Sequence, residues 1–220
     1  MISISPSEKT GAGFQPGQLL ESREKARKVL QLIRERIRVG MTEEQATEIA
    51  KAALKEVGSE REWHRPYVRF GLNTVKTFGE PSIPGVRLGE DDLFFIDIGP
   101  VFNGYEGDLG QTFATLEGTD FARCAADAEA IFAATKAHWS AGGVTGKELY
   151  EFAARQAEAR GWILNLGSNG HRLSDFPHAA YYRGGLNEID FAPNPYAWVL
   201  EIQIRHPSRE FGAFYEDLLI

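Results

Sequence analysis

Four acids and a histidine sit where ordinary chain packing gives little reason for them. Asp97 interrupts Leu93-Phe94-Phe95-Ile96-Asp97-Ile98-Gly99, a run otherwise suited to a buried strand. An unpaired buried carboxylate costs several kcal/mol, so a cation or strong donors belong beside it. Asp108 follows in Gly104-Tyr105-Glu106-Gly107-Asp108. If the two strands pair about a turn near Phe102-Asn103, Asp97 faces Asp108 directly. A turn centred on Asn103-Gly104 leaves the two acids diagonal on the same face. The C-terminus repeats the pattern, with Glu201 inside Trp198-Val199-Leu200-Glu201-Ile202 and Glu216 inside Phe214-Tyr215-Glu216-Asp217-Leu218. With Arg205 to Phe211 as the connecting loop, Glu201 lies opposite Glu216. Like charges held face to face repel. Something positive belongs between them.

Between the two hairpins comes Gly170-His171, with His178 seven residues on. Four carboxylates balance the charge of two divalent cations. Oxygen ligands with one imidazole favour Mn²⁺, Fe²⁺, Co²⁺ or Zn²⁺ over thiolate-seeking metals. Two such ions roughly 3.5–4 Å apart acidify a shared water and polarise a carbonyl. One such acid alone reads as an edge-strand residue facing solvent. Four in two matched pairs read as a site.

The rest of the composition narrows the classes. The chain has 220 residues, 24 Lys+Arg against 31 Asp+Glu and a net charge of −7, with 43% hydrophobic residues. That is ordinary for a globular domain and excludes disorder as the main state. No apolar run approaches the ~20 residues of a membrane helix, and Met1-Ile2-Ser3-Ile4-Ser5-Pro6 does not read as a secretory signal. The acidic balance, with no basic tract, argues against nucleic acid as a partner. A single cysteine, Cys124, excludes a disulfide framework and a cysteine-cluster metal site. The expected location is the cytoplasm.

The elements that must position the acids are legible in outline. Residues 1–17 lack periodicity and are expected to be a loose arm ahead of a single catalytic domain, 18–220. Ala26, Val29, Leu30, Ile33 and Ile37 mark one face of a helix from about Gln18 to Val39. A second helix starts at Thr42, which forms a capping box with Gln45, and Gly58 closes it. Residues 66–78 and 93–114 read as strands. Phe121, Cys124, Ala125, Ala128 and Phe132 restart the helical pattern, which places Cys124 on a buried helix face. Gly40-Met41-Thr42, with Glu48, Ala50 and Gly58, is echoed by Gly143-Val144-Thr145, with Glu151, Ala153 and Gly161, at a constant offset of 103. The echo predicts two α-then-β halves around a shared sheet, with a site at their junction.

At these residues the sequence resembles the pita-bread metallopeptidases, the superfamily of methionine aminopeptidases, prolidases, Xaa-Pro aminopeptidases and creatinase. Its pair of aspartates matches Asp97 and Asp108, the latter in Gly107-Asp108-Leu109-Gly110-Gln111-Thr112. Its two histidines match His171 and His178, and its late glutamates match Glu201 and Glu216. Gly71-Leu72-Asn73-Thr74 also fits. The resemblance covers about residues 18–220. It implies an α+β pita-bread fold, duplicated α/β halves around a curved, mainly antiparallel sheet. It implies two divalent metal ions, with Asp97 chelating one, Asp108 and Glu216 bridging, and His171 with Glu201 holding the other. It further implies that Glu201 serves as acid/base, that His178 contacts substrate or the tetrahedral intermediate, and that a hydroxide bridging the ions attacks an amide carbonyl. The expected activity is that of an aminopeptidase or Xaa-Pro dipeptidase, and the expected partner is a short peptide or small amide. A homodimer is the one assembly entertained.

The family usually carries a histidine five residues after the Asn of the Gly-x-Asn segment. Counting from Asn73 gives Phe78, which neither donates nor accepts a proton. Prolidases and Xaa-Pro aminopeptidases also carry a sizeable N-terminal domain that these 220 residues do not include. Phe78 motivates a second reading, hydrolysis of a non-peptide C–N or small amide bond. A third is a pita-bread protein used for binding. His64, in Trp63-His64-Arg65-Pro66-Tyr67, is a candidate for the substrate pocket instead, with Phe70 and Phe78. Core packing explains the aromatic residues equally well.

Overall fold

The computed structural model describes residues 5–173 and 182–220. Helix α1 (Pro16–Arg36) opens on a proline, tolerated there because the first N–H groups of a helix have no internal partner, and buries Ala26, Val29, Leu30 and Ile33. Helix α2 (Glu43–Glu56) begins at the expected capping box. Gln45 N donates to Thr42 Oγ1 at 3.2 Å and Thr42 N to Gln45 Oε1 at 2.9 Å. The chain continues through β1 (Arg61–Glu62), β2 (Tyr67–Phe70), β3 (Leu93–Ile98), β4 (Pro100–Phe102), β5 (Tyr105–Glu106) and β6 (Leu109–Ala114). The strand expected over 66–78 stops at Phe70. Gly71 turns left-handed at φ 47, and Gly71–Val75 forms a 3-10 turn pinned by Asn73, whose Oδ1 accepts from Ile83 N and whose Nδ2 donates to Glu43.

The second half repeats the first. Helix α3 (Asp120–Ser140) has the length of α1, displaced by 104 residues, and α4 (Gly146–Ala159) has the length of α2, displaced by the expected 103. Thr145 and Glu148 form the matching capping box. Strands β7 (Ile163–Leu164), β8 (His171–Arg172), β9 (Trp198–Arg205) and β10 (Gly212–Leu218) complete the half. The main sheet runs β2-β3-β6-β10-β9-β7, with β8 also on β9, and every pair is antiparallel. Strands β1, β4 and β5 form a small separate sheet.

Strand side chains alternate between faces, which decides where the acids go. Phe94, Ile96 and Ile98 pack with the apolar stripes of α1 and α2. Trp198, Leu200, Ile202 and Ile204 pack with those of α3 and α4. Each such side chain contributes about 1.5–3 kcal/mol on burial. The intervening Asp97 and Glu201 must therefore occupy the opposite face. Cys124 is fully buried in the second core, and burial pushes its thiol up to about 12.

The structure chooses between the two turns left open for the first hairpin, and it ties down the N-terminal segment. Asp97 pairs with Gly110 across β3 and β6, not with Asp108. The turn is Asn103-Gly104, with φ 52 and 78, because a tight hairpin needs two left-handed residues and Asn-Gly supplies them where Phe102-Asn103 does not. Asp108 thus lies diagonal to Asp97, just ahead of β6. The segment expected to be loose is also tied down where it is described. Pro6–Glu8 forms a 3-10 turn, Trp198 Nε1 donates to Glu8 Oε1 at 2.8 Å, and Arg172 donates to the carbonyls of Ser7 and Lys9. Those partners satisfy a buried indole and a buried guanidinium. Among the described residues, no helix is long and apolar enough to cross a membrane.

Candidate metal centre

Five elements deliver acids or imidazoles to one cleft of about 380 Å³. Strand β3 brings Asp97, the β5–β6 junction Asp108, β8 His171, β9 Glu201 and β10 Glu216. Glu201 stands directly opposite Glu216 in the sheet, as expected. Gly110 makes room beside them, since a Cβ there would lie 2.2 Å from the Phe214 ring and 3.2 Å from Glu216 Cβ.

Asp108 occupies the middle. Its Oδ2 is 2.9 Å from His171 Nε2, and its Oδ1 is 3.4 Å from His64 Nε2. His171 Nε2 also lies 3.5 Å from Glu216 Oε1 and 3.7 Å from Glu201 Oε1. His64 Nε2 lies 3.5 Å from Asp97 Oδ1. One carboxylate therefore spans two groups of potential ligands: His64, Asp97 and Asp108 on one side, and Asp108, His171 and Glu216 on the other.

The neighbouring acid on β10 shows what a satisfied carboxylate looks like here. Asp217 is buried, receives a two-pronged contact from Arg23 and pairs with Arg27. Glu216, equally buried one residue earlier, faces the other side of the sheet. Among the described residues, the only ion pairs made by Asp97, Asp108, Glu201 and Glu216 are with His64 and His171. Asp97 Oδ1 is buried and accepts no hydrogen bond.

The titration behaviour follows from that crowding. Burial, reinforced by Asp108 and Glu201 against the pull of His64, pushes Asp97 up to about 7. Burial and the same kind of repulsion push Glu216 well above its ordinary value and Glu201 above its own. Despite its burial, Asp108 is held below the usual carboxylate range by hydrogen bonds from His171 and His64. Both imidazoles move up although burial opposes it, His64 chiefly through the charge of Asp97 and His171 through its hydrogen bond to Asp108. Buried carboxylates whose ion pairs are with imidazole alone, with one Asp97 oxygen accepting no hydrogen bond, are a donor set fitted to hard or borderline divalent cations. The upward shifts of Asp97 and Glu216 express the same crowding of negative charge that a cation would relieve.

The family model for metallopeptidase family M24 matches residues 17–219. The chain belongs to that family. Its structure is similar to the X-Pro aminopeptidase from Thermotoga maritima, at 19% identity and a TM-score of 0.76, over 96% of this chain and 58% of that one. It is similar to the prolidase from Pyrococcus furiosus, at 20% identity and a TM-score of 0.72, over 92% and 59%. A dipeptidase from Mycobacterium ulcerans gives 20% identity and a TM-score of 0.74, over 96% and 56%. The fold of this M24 chain is thus the α+β pita-bread fold, and the chain spans under three fifths of these relatives. No curated protein sequence matches it.

Of the residues singled out from sequence, Asp97, Asp108, His171, Glu201, Glu216, His64 and Phe78 all line the cleft. Phe70 does not. Alternation on β2 turns Tyr67 and Arg69 toward the cleft, and Phe70 toward the helices, where it is fully buried with its ring edge-on to Phe94. Phe78 is 68% exposed and packs against His64 and Tyr67. His178 lies outside the described residues. His138 stacks on Phe152, and His206 accepts backbone bonds from Ser208 and Arg209 in the β9–β10 turn. Neither lines the cleft. Sequence reasoning passed over Arg69, Lys76 and Arg183, which share the cleft, and Glu106, buried beside Asp108. The Glu106 signal was an acid two residues from Asp108, but nothing local announced its burial.

Proposed function

We propose that this chain is a dinuclear metal-dependent hydrolase acting on short peptides, of the aminopeptidase or Xaa-Pro dipeptidase kind. The observation that carries the reading is Asp108, whose two oxygens face separate ligand groups. Asp97 would hold one ion, His171 with Glu201 would hold the other, and Asp108 and Glu216 would serve both. When bound there, a pair of Mn²⁺, Fe²⁺, Co²⁺ or Zn²⁺ ions would supply an acidified water and a polarised carbonyl.

The protein's own groups do the rest. Glu201, with its side chain 16% exposed at the cleft and its carboxyl raised by burial, takes the proton of the attacking water and returns it to the departing amine. His178 steadies the negative charge developing on the carbonyl oxygen. Arg69, Lys76 and Arg183 give the cleft the positive charge that a peptide carboxylate needs, and Arg69 Nη1 has no hydrogen-bond partner among the described residues. Tyr67 and Phe78 offer an apolar wall.

The test is metal stoichiometry by inductively coupled plasma mass spectrometry on protein purified without chelator, beside Asp108→Ala. Close to two ions per chain, lost in the variant, is the expected result. Absence of metal that added Mn²⁺ or Co²⁺ does not restore would remove the reading. Phe78 favours a second one, the same centre acting on a non-peptide C–N or small amide bond. Turnover of such an amide without turnover across a peptide panel would select it.

A further inference from the structure

We infer that His64 is a sixth protein ligand of the centre, offering Nε2 to the ion on the Asp97 side. The inference rests on the dinuclear reading above and adds a residue to it.

The ring's orientation comes from the chain itself. His64 Nδ1 lies 2.9 Å from the carbonyl oxygen of Arg65. A carbonyl only accepts, so Nδ1 carries a proton, and Nε2 is the nitrogen whose lone pair a metal ion would take. Nε2 faces Asp97 Oδ1 at 3.5 Å and Asp108 Oδ1 at 3.4 Å, two atoms that only accept when ionised. A ring nitrogen and two carboxylate oxygens converging on one point need a positive charge among them, a proton on Nε2 when no metal is bound and a divalent ion in that proton's place when one is. Gaps of this size lie at the long end of hydrogen bonding. They match the ligand-to-ligand edges around an ion with bonds of about 2.0–2.2 Å.

His171 is built in the same way. Its Nδ1 approaches the carbonyl of the next residue, Arg172, at 3.5 Å, and its Nε2 points to the other oxygen of Asp108. A metal-binding imidazole is typically oriented through its second nitrogen in this manner. Asp108 therefore offers one oxygen to each of two similarly held imidazoles.

The His64 ring is also packed in place. Its side chain is 9% exposed, with Tyr67 and Phe78 each 6.0 Å away between ring centroids. Beneath it, a Cβ on Gly99 would come within 2.8 Å of Nε2, so glycine is what lets the ring settle over β3. A histidine serving substrate alone would turn Nε2 to the open cleft. This one turns it to the acids.

The experiment titrates Mn²⁺ into metal-free wild type, His64→Gln and His171→Ala by calorimetry, with far-UV circular dichroism as the folding control. His64→Gln should bind one ion about tenfold or more weakly, the scale on which metal sites respond to lost support, while the other ion stays within about threefold of wild type. Electron spin-echo spectroscopy of His171→Ala, loaded with one equivalent of Mn²⁺, should still show imidazole nitrogen coupling. That measurement leaves His64 untouched and so does not depend on the His64 variant folding. Two ions bound by His64→Gln with wild-type affinity, or no nitrogen coupling in His171→Ala, would overturn the ligand assignment alone. Wild type that takes up fewer than two ions would overturn the dinuclear reading and the inference together.

Discussion

The two halves of the molecule share a scaffold and differ in how they hold their acids. Helices α2 and α4 start on the same capping box, and each half lays a helix pair on the same face of the sheet. The C-terminal half sets Glu201 directly opposite Glu216 within one uninterrupted ladder. The N-terminal half breaks its hairpin into β3–β4 and β5–β6, pairs Asp97 with Gly110, and leaves Asp108 at the break. A glutamate pair in register can only share the ground between its two strands. Asp108, released from the ladder, reaches both ways. The scaffold is where the halves agree, and the site is where they part.

Asp108→Ala should show the largest effect. Loss of several kcal/mol of charge stabilisation, at about 1.4 kcal/mol per decade, lowers peptidase turnover roughly a thousandfold or more. Its melting temperature should fall only in Mn²⁺-containing buffer. Equal activity in the variant would end the claim that the N-terminal break matters. The pH dependence of stability comes next. In chelator-treated protein, Asp97 sheds its proton near pH 7, against about 3.8 when unfolded. The folded state then binds more protons than the unfolded state, and stability falls as pH rises from about 4 to about 7. Glu201 and Glu216, raised in the other half, add the same sign. With Mn²⁺ present the trend should reverse, because ligands bind metal deprotonated. Parallel melting curves with and without metal over that range would contradict the crowded-acid account.

Phe78→His, assayed on a dipeptide and an amino-acid anilide, should raise cleavage by about tenfold, less than the ~100-fold or more of a fully placed proton donor because the new ring has no built support. An unchanged rate would mean the first half's histidine function has moved elsewhere. The smallest effect tests the scaffold. Thr42→Ala and Thr145→Ala should each cost about 1 kcal/mol in urea melts. Unequal costs would show that the two capping boxes are alike in sequence only.

Much of this was readable beforehand, for local reasons. Helix starts lie within a few residues of their caps, and an acid in the middle of an apolar strand announces itself, as Asp97 and Glu201 do. The second hairpin could be registered because its loop is bounded by its own strands. The first was ambiguous between turns one residue apart, and only the left-handed backbone of Asn103 and Gly104 decides it. Phe70 was misplaced because a four-residue strand gives too few alternations to fix its inward face. His64, Arg69 and Glu106 gain their meaning from strands far along the chain, and no spacing rule reaches them. The anchoring of Ser7 and Glu8 was hidden for the same reason, since Arg172 and Trp198 supply it from far along the chain.

Those anchors have a practical consequence for anyone trimming the chain. Cutting back to the start of α1 looks harmless by composition, since it removes no acid or histidine of the centre. It would strip the Ser7 and Lys9 carbonyls from the Arg172 guanidinium and the Glu8 carboxylate from the Trp198 indole. Arg172 adjoins His171 on β8, so the cost would arrive as a slackened imidazole. A shortened expression clone could fold well and still come off the column poor in metal.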